Sequence, residues 1–374
     1  MRPPVTVVGS GPAGLMAAEI LATAGVGVRL IDHMRSPARK FLVAGRGGLN
    51  LTHSEPLETL LTRYGPARDK LEPAIRDFPP DAVMAWCQQL GVATFTGSSG
   101  RIFPYTMKAS PLLRAWLQRL SDLGVTFVGN TRWHGFDGTP TILALGGASW
   151  RQLGSDAKWV PYLRSQGVRV NDFQPSNGRV RVAWSEHFKT RHAGSPLKNI
   201  ALNCAGMHVQ GEIVISHEGL EGGAIYQLSR VLREKPSQNL MLDLKPALTA
   251  ATVAQRLCQP RGSASQSNFL SRVLRLSPAA IALLHETRQN VTAELIKSVP
   301  LETQGFVGIE RAISSAGGID LAEVDANFQL LKCPGCYAVG EMLDWDAPTG
   351  GYLLQACFST AVAAAKDMLK SLPH

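Results

Sequence analysis

Gly9-Ser10-Gly11-Pro12-Ala13-Gly14 matches the pattern G-x-G-x-x-G, and Asp32 lies 23 positions after Gly9. Each glycine has a separate task in such a turn. The first permits the tight bend, the second lets a pyrophosphate approach the backbone, and the third lets a helix pack against the preceding strand. The helix that follows offers NH groups and the positive end of its dipole to phosphate. Asp32 would accept hydrogen bonds from an adenosine ribose, and its charge would repel a 2′-phosphate, which argues against NADP at this position. A dinucleotide site is therefore expected over Gly9, Ser10, Gly11, Pro12, Ala13, Gly14 and Asp32.

The far end of the chain suggests which dinucleotide. In Val339-Gly340-Glu341-Met342-Leu343-Asp344 a glycine and a carboxylate close a short apolar strand, and Thr349-Gly350-Gly351-Tyr352-Leu353 opens a helix. A carboxylate there suits the ribityl chain of a flavin. A Gly-Gly helix start suits its pyrimidine edge, where charge collects on reduction. The alternative is an ordinary strand-turn-helix closing the fold. Flavin-dependent reduction of a C=C bond needs a proton as well as a hydride, and His53, His217, Tyr226 and Tyr352 are the candidate donors, with no single catalytic residue fixed. Arg101 and Lys108 are candidates for an anionic substrate, or else solvated surface. Cys333-Pro334-Gly335-Cys336 has dithiol spacing but precedes a strand rather than a helix, so it reads as a packed turn. No second C-x-x-C completes a zinc site, and no metal site is expected. No second G-x-G-x-x-G follows a strand, so NAD(P)H, if it is the donor, would visit and leave.

These residues need elements to hold them. Val5–Val8 reads as a buried strand, Pro12–Ala24 as a helix and Val26–Ile31 as a second strand. Helices are expected over Leu57–Arg63, Asp81–Leu90, Leu112–Leu120 and Asp156–Gln166, with strands at Val125–Val128 and Thr141–Leu145, the latter running into Gly146. From Val168 short alternating strands appear at Arg179–Trp184, Ile200–Cys204, Glu212–Ser216 and Leu240–Leu244. Helical patterns follow between Thr249 and Ser298. A final helix over Gly351–Leu369 places Leu354, Cys357, Phe358, Ala361, Ala365 and Met368 on one face. The expected organisation is an α/β domain over 1–167 and 305–374, interrupted by a module at 168–304 that is β-rich over 168–245 and helical over 246–304.

Composition narrows the classes. The chain has 374 residues, 45% apolar and 18% charged, which suits a globular protein and not a disordered one. No apolar window is long enough to span a bilayer, and no signal-type block follows Met1. Six cysteines do not make a disulfide scaffold. A cytoplasmic protein without a membrane partner is expected. The net charge is +9, and between Pro161 and Asp320 there are 18 basic and 12 acidic residues. That balance permits an anionic cofactor or an RNA partner and proves neither.

Taken with Ala44–His53 (A-G-R-G-G-L-N-L-T-H), Gly100–Pro104 (G-R-I-F-P), Ala144–Trp150 (A-L-G-G-A-S-W) and Gly340–Gln355, the Gly9–Gly14 motif resembles the BaiN/YhiN-type, aminoacetone-oxidase-like flavoproteins across nearly the whole chain. The resemblance implies a glutathione-reductase-like FAD-binding Rossmann domain with an inserted β-barrel-like and helical module. It implies FAD contacts at Ser10, Gly11, Ala13, Asp32, Arg39, Lys40, Arg46, Asn50, Gly146, Glu341, Asp344, Gly351, Tyr352 and Leu353. Many relatives have a cysteine where this chain has Leu49, which suggests a distinct subfamily. The implied activity is FAD-dependent reduction of a conjugated C=C bond, in an enone-like small molecule or in a uracil of RNA, with electrons from NAD(P)H. Alternatives are a flavin-dependent amine or hydroxy-compound oxidase, and an RNA-binding flavoprotein whose FAD is structural.

Overall fold

In a computed structural model of the chain, residues 4–235 and 239–372 are described, without the side chain of Arg46. The chain divides into two compact units, Met1–Pro175 with Ile309–His374, and Ser176–Gly308.

The first unit is built on five parallel strands in the order Cys336–Ala338, Thr141–Leu143, Val5–Val8, Val28–Ile31, Thr126–Val128. Their residues alternate between two cores. Val5, Val7, Leu30 and Ile142 join one apolar cluster, while Val8, Ile31, Leu143 and Ala338 join another. A sheet covered on both faces needs apolar residues on both, which explains why Val5, Val7 and Val8 at its centre are all buried. The helices Pro12–Thr23 and Tyr352–Ser371 pack against each other. They share the first core with Trp86, Trp116 and Phe358, whose rings lie 4.7 to 6.0 Å apart. Beside these rings the buried Glu19 carboxylate accepts from Trp86 Nε1 at 3.0 Å and from Arg119 at 2.8 Å, so its charge is paired. A small antiparallel sheet, in the order Thr52–His53, Arg101–Pro104, Thr94–Thr96, holds the loop that follows Gly45. Strand Val170–Ser176 pairs with Ser314–Ile319.

The second unit carries a seven-stranded antiparallel sheet, in the order Val299–Leu301, Leu240–Asp243, Pro196–Cys204, Met207–Ser216, Gly219–Glu221, Val180–Val182, Thr303–Phe306. Its two outermost strands are separated in sequence only by Glu302, so the sheet curls almost into a closed barrel. Five helices of this unit begin where a hydroxyl accepts from the backbone. Ser185, Thr249, Ser265, Ser277 and Thr292 each cap a helix through the side chain.

The α/β class with a barrel-like insertion is as expected; several details differ. The unit boundaries fall at 175/176 and 308/309 rather than at 167/168 and 304/305, because the Val170–Ser176 strand continues the first unit's structure. Helix Arg68–Asp77 was not anticipated, since Pro73 lies inside it and reads as a breaker. The helix expected over Asp156–Gln166 starts only at Val160, with Pro161 in its first turn, where a missing N–H costs nothing. The last helix is not buried on one face alone. Gln355, Ser359 and Thr360 are as buried as Phe358, and Leu354 and Cys357 are only partly covered. Among the described residues, no helix is long and apolar enough to cross a membrane.

Trp116 is fully buried at the centre of the ring cluster. Trp116→Ala should destabilise the protein by about 3–5 kcal/mol through lost contacts and the cavity left behind. Denaturant titration showing a loss below about 1 kcal/mol would mean that the cluster does not hold this core.

Candidate cofactor and active site

The Gly9–Gly14 turn joins strand Val5–Val8 to helix Pro12–Thr23, and its three glycines differ in what surrounds them. Gly9 has φ +101°, and a Cβ there would fall on the Ala144 carbonyl oxygen. A Cβ on Gly14 would fall on the carbonyl oxygen of Gly9, so the helix starts in contact with the turn. Gly11 has nothing within 4 Å of where its Cβ would be, and it lines an open pocket at the helix start. Asp32 spans this arrangement. Its Oδ2 accepts from Ser10 N at 2.7 Å and from Ser10 Oγ at 2.6 Å, and its Oδ1 accepts from Met34 N at 2.8 Å.

Of the expected cofactor residues, Gly9, Gly11, Pro12, Ala13, Asp32, Arg39, Lys40, Gly146 and Glu341 line this single pocket. Ser10 and Gly14 are not on its wall; they are buried behind it, one holding Asp32 and the other packed on the turn. Lys40 links the two ends of the chain. Its Nζ lies 2.8 Å from Glu341 Oε2 and donates to Ser149 Oγ at 2.7 Å, while Glu341 Oε1 accepts from Ser315 N at 2.9 Å. Asp344 is off this wall: it accepts from Asn171 Nδ2 at 2.8 Å and from Gly317 N at 3.0 Å. Gly340 is buried too, its N–H donating to Thr360 Oγ1 at 3.1 Å. The Arg46 side chain lies outside the described residues.

The pocket fits a dinucleotide. Bare Gly11 backbone at a helix start suits pyrophosphate. Ser155 also lines the pocket, its Oγ buried and without a hydrogen-bond partner within the protein, and sequence reading had no signal for it. Asn50 anchors the Gly-rich loop by donating from Nδ2 to Thr52 O at 2.8 Å and to Ile102 O at 3.1 Å. Its buried Oδ1 has no partner and stays ready to accept. Gly351 begins the long helix at φ +96°, where a side chain would meet the Thr52 backbone. The Gly350-Gly351 start is thereby pressed against the Thr52–His53 strand, with Leu353 partly buried behind it.

Two candidate proton donors meet at this junction. The rings of His53 and Tyr352 stack at 5.3 Å with 19° between planes. Glu55 N–H donates to His53 Nδ1 at 3.1 Å, so Nδ1 is the acceptor and Nε2 carries the hydrogen that faces Ser99 O at 3.0 Å. Both ring nitrogens are committed to backbone. Two neighbours were missed from the sequence: Arg63 grips Glu55 with Nε and a terminal nitrogen at 3.0 and 2.6 Å, and its guanidinium lies 5.9 Å from the Tyr352 ring centre. Burial raises the Glu55 carboxyl's pKa, but the Arg63 and Tyr352 contacts outweigh it and hold it below the ordinary range. Burial, and then the Glu55 carboxylate beside it, push the Tyr352 phenol well up. His217 and Tyr226 belong to the second unit. His217 is exposed in the turn between Met207–Ser216 and Gly219–Glu221, and Tyr226 is partly buried against that unit's core, its phenol raised chiefly by burial. Arg101 pairs with His53 across two strands, and Lys108 is exposed before helix Ala109–Asp122. Among the described residues, no group of three His, Cys, Asp or Glu side chains could hold a metal ion.

Asp32→Ala should weaken dinucleotide binding by about 1–3 kcal/mol, since it removes charge-assisted hydrogen bonds and releases the turn. Unchanged affinity in a flavin titration would remove Asp32 from the site. Cys333 and Cys336 close a turn in which Cys336 N donates to Cys333 O at 3.1 Å, and burial pushes the Cys336 thiol up to about 12. Replacing both with serine should leave flavin reduction nearly intact, and a large loss of turnover at full flavin content would make them redox-active.

The family model described as HI0933-like protein Rossmann domain matches residues 3–140 and 134–367. The chain is 25% identical to a 3-dehydro-bile acid delta(4,6)-reductase of Clostridium scindens, over 97% of this chain and 98% of that protein. It is 23% identical to a ribosomal RNA dihydrouridine synthase of Haemophilus influenzae, over 96% of each. A 3-ketosteroid-delta4-(5alpha)-dehydrogenase of Rhodococcus jostii shares the fold at a TM-score of 0.51 and 13% identity, covering 98% of this chain and 99% of that one. A flavocytochrome c3 fumarate reductase does so at 0.54 and 14%, covering 98% of this chain and 78% of that one. The chain belongs to the HI0933-like family, a family of FAD-dependent oxidoreductases.

Proposed function

We propose that the protein binds FAD without a covalent link and reduces a C=C bond conjugated to a carbonyl, with NAD(P)H as a visiting donor in the cytoplasm. The observation that carries this reading is that two relatives matched over nearly their full length are named for a bile acid delta(4,6)-reductase and a dihydrouridine synthase. Both names describe saturation of an activated ring double bond, so the substrate here is an enone-like small molecule or a uracil of RNA. Bound flavin supplies the hydride for one carbon of such a bond. The chain must supply position, exclusion of water and the proton for the other carbon.

Tyr352 is the residue best suited to hold that proton. Its phenol, raised by burial and by Glu55, stays protonated at neutral pH. Arg63 keeps Glu55 ionised, and the stacked His53 fixes the ring's plane. With both nitrogens bonded to backbone, His53 serves as a positioning residue. Lys40, paired with Glu341, sets a positive charge on the pocket wall without leaving it unneutralised.

The test is stopped-flow spectroscopy of the FAD-loaded protein. NADH or NADPH should bleach the flavin, and an enone or a uridine-containing RNA should restore its colour faster than oxygen does. Faster recovery with oxygen would make the protein an oxidase. Tyr352→Phe should slow recovery with substrate by roughly 10²–10⁴-fold while leaving bleaching within a few-fold. Unchanged recovery would assign the proton to another group.

A further inference from the structure

We infer that the face around helix Gln266–Leu274 in the second unit is an RNA-docking surface, an inference that rests on the reading of uracil in RNA as a substrate. From Leu244 to His285 the chain runs 42 residues without one aspartate or glutamate, yet it carries Lys245, Arg256, Arg261, Arg272 and Arg275. The helices Ala250–Leu257 and Gln266–Leu274 turn their large apolar residues inward, with Val253, Phe269, Leu270, Val273 and Leu274 all buried. The outer face is left to the cations and to exposed Ser267, Asn268 and Ser271.

Three of these cations are held by backbone carbonyls rather than by carboxylates. Lys245 Nζ donates to Arg275 O at 3.0 Å, Arg256 donates to Val273 O at 3.4 Å, and Arg272 donates to Pro260 O at 3.0 Å. Among the described residues none of the five makes an ion pair, whereas in the first unit Arg63, Arg119, Arg164 and Arg169 each face a carboxylate within 2.9 Å. Burial and then the charges of Arg256 and Arg275 press the Lys245 pKa down, so three cations share one neighbourhood, and the nearby Asp243 carboxylate, which accepts from Lys245 N at 2.8 Å, is already paired with Lys297 at 2.6 Å. A phosphate would offset them. Four of the five are arginines, whose planar forks match phosphate oxygens, and the hydroxyl and amide groups between them suit phosphate and ribose. A lipid surface would need exposed apolar side chains, which this face has turned inward. Uracil, the reducible base, is carried by RNA.

The experiment uses the full-length, FAD-loaded protein and a short fluorescent RNA hairpin with uridines in its loop. Binding should weaken steeply between about 50 and 200 mM salt. Arg261→Gln, Arg272→Gln and Arg275→Gln combined should weaken it at least about tenfold and lower the slope of log K against log salt by roughly two to three. FAD content and bleaching by NAD(P)H should not change. Because Arg272 also lies over the Phe269 ring, Arg261→Gln alone, in an exposed loop, serves as the second variant and should lower the slope by about one. Full hairpin affinity in both variants would overturn the inference, as would equal or tighter binding to phosphatidylglycerol vesicles or to polyglutamate. If the wild type fails to bind the hairpin yet reduces an enone, the surface is refuted and the reductase reading stands. Salt-dependent hairpin binding that the variants lose, in a protein whose flavin is not bleached, would support the surface and remove the reductase reading.

Discussion

The contact between Gly14 and the carbonyl of Gly9 is the constraint on which the cradle depends. It lets helix Pro12–Thr23 begin almost on top of the turn, with Gly11, Pro12 and Ala13 lining the pocket at the helix start. A methyl group on Gly14 would push the helix start off the Gly9 carbonyl, and one on Gly9 would strike the Ala144 carbonyl. The Asp32 carboxylate then fastens this geometry with three hydrogen bonds, two to Ser10 and one to Met34. Charge-assisted bonds of this kind contribute on the order of 1.5–3 kcal/mol each. The same carboxylate thus shapes the turn and faces the pocket, and these two tasks cannot be separated by mutation.

The Lys40–Glu341 pair solves a different problem, that of carrying charge in a largely covered place. Lys40 and Glu341 are each surrounded by a second partner, Ser149 for the amine and the Ser315 N–H for the carboxylate. A partly buried pair with its further hydrogen bonds made keeps its orientation, whereas an unpaired charge would draw in water or change its protonation. At the junction of the long helix the same logic recurs, with Arg63 and Glu55 as the pair and the Tyr352 hydroxyl as the group they hold.

The parts legible in the sequence are those whose causes are local. The Val5–Val8 strand, the glycine turn and the helix after it announce themselves within 20 residues, because sterics and periodicity act over that range. The Lys40–Glu341 pair spans 301 positions and the Arg63–Glu55–Tyr352 group nearly as many, so no spacing could have announced either. Ser155 escaped notice because a serine after a glycine looks like any turn. Asp344 carries the residue type expected of a flavin contact, yet it is spent on Asn171 and Gly317. Helix Arg68–Asp77 was hidden by Pro73, whose lost hydrogen bond is outweighed by the burial of Leu71, Ala74 and Ile75.

Strand Val170–Ser176 pairs with Ser314–Ile319, so the points where the chain leaves the first unit and returns to it are held side by side by that unit's own hydrogen bonds. Loop-closure entropy grows only slowly with the length of what is inserted between fixed ends. The first unit is therefore nearly indifferent to what hangs between these two strands. Over evolutionary time the 133 residues from Ser176 to Gly308 are free to be resized, recharged or exchanged while the dinucleotide cradle folds unchanged, which makes the insertion the part of the molecule where lineages can diverge in what they recognise.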